Sequence, residues 1–211
     1  MISGIKAPDT QLAREAEEFV QSSSSAMLYN HVMRCYWFAE LFAQQENAKA
    51  DHELMFFSAT LHDLGFTEHG RGPHRFEIEG AHAARRFLKD RGVPDVRSWQ
   101  VWSTIALHTW DINLCKEDEA RLVQLGILYD VIGLPAGLPA PKLDPADVAE
   151  IVKRYPRLGF KRGFYDLLCE ELDTKQPYHH HNHICTCIAH NRSPVPLPDG
   201  QALLNGAPFD E

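Results

Sequence analysis

Five consecutive residues, Leu61-His62-Asp63-Leu64-Gly65, constrain this chain more than any others. They close an apolar run, Leu54-Met55-Phe56-Phe57-Ser58-Ala59-Thr60, long enough for roughly two helical turns. A histidine and an aspartate side by side at the end of such a run need explaining. Neither is favoured in a dry interior unless it is paired, hydrogen-bonded or bound to a metal. One explanation is local, a helix C-terminus with His in the last turn and Gly65 as the stop. The other is a functional site, and the rest of the chain has to decide.

The 211 residues suit one domain, or one domain with a tail, and can bury a core without disulfide staples. The net charge of −8, with no long basic run, argues against a nucleic-acid groove. No apolar stretch reaches about 18 residues, so no membrane span is expected. Met1 to Pro8 lacks the charged-then-apolar order of a signal peptide. Five cysteines, an odd number at irregular spacing, point to a reducing compartment, hence the cytoplasm. The expected partner is a small-molecule substrate, and assembly into a homo-oligomer is left open.

Helical periodicity runs through most of the chain, and no strand pattern or internal repeat interrupts it. Asp9 or Thr10 caps a first helix to about Val20, and a serine-rich turn follows, giving an N-terminal segment over 1–25. From Ala26 to about Gln44, Leu28, His31, Cys35, Phe38 and Phe42 recur at three- and four-residue steps. His31 therefore sits in an apolar stripe, with Asn30 beside it. Asp51 caps the helix that ends in His62-Asp63. The Gly- and His-rich loop Phe66 to Arg75 leads to a helix over Phe76 to Leu88, whose first turn carries Glu77 and Glu79. Trp99 to His108 is helical and puts His108 on an apolar face. Asp118 to Ile132 is helical too, with Asp130 among Ile127, Leu128, Val131 and Ile132.

Four prolines between Gly133 and Pro145 make a loop, and two shorter helices follow, about Pro145 to Tyr155 and Phe160 to Leu172. The helical domain spans 26–173. From Thr174 onward the chain is an irregular His- and Pro-rich arm over 174–211. His179-His180-His181-Asn182-His183, with Cys185 and Cys187, has no zinc-motif spacing and reads as a solvated run.

His31, His62, Asp63, His108 and Asp130 each come from a helix or helix end with apolar neighbours, so they can converge in a bundle core. Imidazoles and carboxylates together suit Zn²⁺, Fe²⁺ or Mn²⁺. With His31, then His62-Asp63 one helix later, then the distant Asp130, the chain resembles the HD-domain metalloproteins over about residues 26 to 132. Within them it is most similar to the cyanamide hydratase branch. That likeness is carried by Asn30-His31 followed by Arg34, Leu61-His62-Asp63, Phe76-Glu77 before Gly80, His108, Asp130 and Tyr155-Pro156-Arg157-Leu158, and it extends to Pro177-Tyr178.

The resemblance implies an all-α HD-domain helical bundle and one divalent metal, expected to be Zn²⁺ with Fe²⁺ or Mn²⁺ as alternatives. It implies His31, His62, Asp63 and Asp130 as its ligands. The expected catalytic residues are Asp63 and, as the proton carrier, His108 or Glu77; the expected substrate contacts are Asn30 and His82, although His82 departs from the branch's pattern. The implied reaction is addition of water to a small nitrile such as cyanamide, giving urea. HD-type hydrolysis of a phosphate ester, with Arg71, Arg75, Arg85 and Arg86 as available cations, is the alternative, and a non-catalytic metal-stabilised domain the third. Phe76 stands where two-metal relatives carry a further histidine, which favours one ion; His82 and His108 remain as ligands for a second.

Overall fold

Each of the first three helices begins at a side chain that can accept from an exposed backbone amide. Thr10 Oγ1 accepts from Ala13 N at 3.1 Å and starts α1 (Gln11–Ser23). Ser25 Oγ accepts from Leu28 N at 3.3 Å at the head of α2 (Ala26–Glu46). Asp51 Oδ1 accepts from Leu54 N at 2.9 Å before α3 (His52–Leu61). The serine run is thus mostly helix, with Ser22 bonded back to Phe19 O and only Ser24 and Ser25 left to make the turn.

The computed structural model describes residues 2–110, 117–134, 140–175 and 183–192. After α3 come α4 (Phe76–Lys89), α5 (Asp95–Leu107), α6 (Asp118–Val131), α7 (Pro145–Arg154), α8 (Phe160–Thr174) and α9 (His183–Arg192). α5 starts earlier than its apolar pattern suggests, directly after Pro94, which fixes the entry to the helix. α9 lies inside the arm read from sequence as irregular, where Cys185 and Ile188 pack on α8. His179 to Asn182 and Pro177-Tyr178 lie outside the described residues. Among the described residues the fold is all-α, with only an isolated bridge between Ile2 and Ile5, and no helix is long and apolar enough to cross a membrane.

α2 is buried from His31 to Ala43 on every side, so it is the axis of the bundle. α6 lies directly along it. A Cβ at Gly126 would fall 2.3 Å from Cys35 O and 2.8 Å from Ala39 N, so only glycine permits this approach. α4 is pressed as tightly onto the turn after α3. A Cβ at Gly65 would sit 2.0 Å from Phe76 O, and one at Gly80 would sit 2.8 Å from His62 O. The His62-Asp63 turn is therefore clamped between two backbones.

A second apolar cluster, centred on Phe66, Phe76, Phe160 and Phe164, closes the other side of this turn. It joins the loop after α3 to α8 and α9. Glu171 of α8 accepts from the Phe76 amide, supplying α4 with the cap acceptor that its own sequence lacks. Lys175 Nζ pairs with Glu171 at 2.6 Å and donates to His74 O at 2.5 Å, tying the same loop down.

Candidate metal centre

Two helices end in a histidine that sits at its own C-cap. His62 closes α3 and its Nδ1 lies 2.7 Å from Ala59 O; His108 closes α5 and its Nδ1 lies 2.7 Å from Ile105 O. A carbonyl can only accept, so in both rings Nδ1 carries the proton and Nε2 keeps its lone pair. His31 lies mid-helix, where the nearby carbonyls already serve the α2 ladder. Its Nδ1 meets Asp130 Oδ2 at 2.7 Å instead. All three imidazoles thus hold Nε2 ready as a ligand.

Asp63 is the common neighbour. Its Oδ2 lies 3.4 Å from His31 Nε2 and 3.3 Å from His62 Nε2. Ligand atoms of His62, Asp63 and His108 all fall within 4.8 Å of one another. A second group of the same kind is His31, Cys35 and His62. His31, His62, Asp63 and His108 are at most 4% exposed, and neither oxygen of Asp63 has a hydrogen-bond partner. A buried carboxylate in that state calls for a cation or a proton. Burial pushes its pKa up, while His31 and His108 pull it down and Glu77 pushes it further up. Burial lowers His62 to about 3, with help from His31, and His108 to about 4, with help from His62, so both rings are neutral near pH 7. Neutral imidazoles around an unpartnered carboxylate fit a divalent ion.

Asp130 is placed differently from the expectation that it ligates beside Asp63. It stands behind His31, on the Nδ1 side of the ring. Arg34 grips it as a fork, Nε to Oδ1 and Nη2 to Oδ2, both at 2.8 Å, and Arg157 Nη1 donates to Oδ1 at 2.9 Å. Burial alone would raise this carboxyl, but the bonds from His31 and Arg34 outweigh it and hold the group well below the usual carboxylate range.

Glu77 is fully buried and accepts from Thr109 Oγ1 at 2.6 Å, and its charge reaches both Asp63 and His108. That puts a second carboxylate at the edge of the cluster. The two expected substrate contacts are not brought to it. His82 is exposed on α4, where Trp102 Nε1 donates to its Nδ1 at 3.2 Å. Half-buried Asn30 donates to Pro156 O at 2.8 Å.

Four partners escaped the sequence reading as site residues. Phe160 and Phe164 of α8 lie against His31, with ring centroids 4.5 and 5.5 Å away. Their distance along the chain gave no signal. Cys35 Sγ touches the His31 ring at 3.5 Å, and its place one turn after His31 in the same stripe was a signal that could have been used. Thr109 directly follows His108, but nothing in its neighbours marks it.

No curated protein matches this chain. Residues 28–126 match the family model described as HD domain, and His31, His62, Asp63 and His108 all lie within that stretch.

Proposed function

We propose that this chain is a metal-dependent enzyme that adds water to a small nitrile such as cyanamide, giving urea. The observation that carries the reading is enclosure. The ligand cluster is buried on every side, and two well-formed cavities among the described residues lie away from it, along α5 and beside Arg71. A nitrile of a few heavy atoms asks for little more room than an ordered water, whereas a nucleotide asks for a cleft.

Charge supports the same choice. A phosphate ester would want uncommitted guanidinium groups at the site. Arg34 and Arg157, the nearest, both serve Asp130. Arg71 pairs with Glu170, Arg85 with Asp95, Arg75 bonds to Ala106 O, and Arg86 is exposed on α4.

A divalent ion, Zn²⁺ by expectation, supplies an acidified water and polarises the nitrile nitrogen. The residues of the chain do the rest. Glu77, held by Thr109, takes a proton as the water oxygen bonds to the nitrile carbon. One C–N π bond opens, and nitrogen receives a proton from Glu77 or His108. Transfer of the second water proton to the same nitrogen leaves a carbonyl, so urea is the only product and no oxidant is required. Phe160 and Phe164 keep bulk water out.

The test is urea release from cyanamide by protein loaded with one Zn²⁺ per chain, beside Glu77→Gln loaded equally. Turnover by the wild type and a loss of about a hundredfold or more in kcat for the variant are expected. Turnover of nucleoside monophosphates with none of cyanamide would replace this reading by the phosphohydrolase one.

A further inference from the structure

The family resemblance counts the distant aspartate among the metal ligands. We infer that in this chain Asp130 is instead the positioning residue for His31, and that His108 completes the ligand set with His31, His62 and Asp63. The inference rests on the metal-dependent reading of the site but not on any substrate.

A carboxylate has about four acceptor positions. Asp130 receives four donors: Nε and Nη2 of Arg34, Nη1 of Arg157, and Nδ1 of His31, all between 2.7 and 2.9 Å. Nothing remains to face an ion. Asp63, in the same core, has both oxygens without a hydrogen-bond partner.

A parallel among the three histidines says what Asp130 does. His62 and His108 end their helices, where a carbonyl three residues back is within reach of Nδ1. His31 sits inside α2 and has no such carbonyl to use. Asp130 supplies from α6 the acceptor that Ala59 O and Ile105 O supply locally. The proton is thereby fixed on Nδ1, and Nε2 of His31 is turned toward Asp63. His108 is already within ligand range of His62 and Asp63.

The experiment uses Co²⁺ in the full-length protein, because its visible absorption reports the number and kind of ligands. Asp130→Asn should weaken Co²⁺ binding roughly 10- to 100-fold while leaving band positions and intensities unchanged. His108→Ala should shift and weaken the bands as water replaces an imidazole. Shifted bands in Asp130→Asn, or unchanged bands in His108→Ala, overturn the assignment. Should Asp130→Asn fail to fold, nitrogen NMR of histidine-labelled, Zn²⁺-loaded wild type decides. Protonated Nδ1 is expected on His31, His62 and His108 together, and its absence on His31 overturns the inference. A wild type that binds no divalent ion at all would sink the metal reading itself, which is a distinct outcome.

Discussion

The two apolar clusters that meet at His31 are built on different principles. On one side, α2, α3, α4 and α6 approach backbone to backbone, with Gly65, Gly80 and Gly126 at the contacts. A displacement there would drive main-chain atoms together, and packed interiors resist this strongly. On the other side, α8 is held by flat rings and charges. Phe160 stacks on Phe164 at 4.9 Å and on His31 at 4.5 Å, Phe66 meets Phe164 edge-on at 5.8 Å, and Arg71 meets Glu170 in an exposed pair. The ligands are anchored in the half that cannot slide. Any opening of the buried site falls to the half that can.

The comparison breaks most completely at Asp63. Asp63→Ala should reduce bound metal from about one ion per chain to background and abolish turnover, read by elemental analysis of protein purified without metal resin. Retained metal with full activity would mean that the clamped turn is not the binding element.

Next in size is the rigid half. Gly126→Ala places a methyl against Cys35 O and Ala39 N. It should cost about 3 kcal/mol, a fall in Tm of roughly 6–12 °C by calorimetry. An unchanged Tm would show that α6 can shift after all.

Phe164→Ala probes the half held by rings. It should cost about 2 kcal/mol, less than a core phenylalanine because its neighbours can close in. Its telling effect is kinetic. A chelator should remove the ion several-fold faster than from wild type, whereas Gly126→Ala should show no comparable gain at equal stability. Equal rates in both would erase the distinction between the halves.

The smallest effect is a pH slope inside α2. Glu40 is buried, which raises its carboxyl above its ordinary value of 4.5 despite His52 at 2.8 Å. The folded state therefore holds this proton more tightly than the unfolded one. Its contribution to stability is full below pH 4.5 and is lost as pH rises through the folded value. Glu40→Gln removes the slope, so its stability relative to wild type, followed by thermal unfolding, should climb between pH 4 and 7 by on the order of 1 kcal/mol.

The fold was legible in the sequence because helical periodicity and caps are local. Thr10, Ser25 and Asp51 stand where their helices start, and Leu28, His31, Cys35, Phe38 and Phe42 trace the axis. The residues that fit a metal centre stood out for a related reason, as polar groups where the pattern demands apolar ones. What could not be read is which side of a ring each partner occupies. Asp63 and Asp130 look alike in sequence, and only the α2–α6 packing puts one at Nε2 and the other at Nδ1 of His31. His82 stood out as a histidine on a small-residue helix, yet one step around α4 turns it to solvent and to Trp102. Phe160 and Phe164 carried no mark at all, because an aromatic pair at helical spacing reads as ordinary core.

Two of the histidines are also the stopping points of their helices, and this dictates how such a chain can change length. Each residue inserted in an α-helix rotates everything beyond it by about 100°. One insertion within α3 or α5 would swing His62 or His108 out of the cluster even if the bundle still formed. Additions at the outer ends, before Asp51 or before Pro94, leave the imidazoles in register. Length variation in chains built this way should therefore collect at the starts of these helices, and their last turns should keep a fixed count.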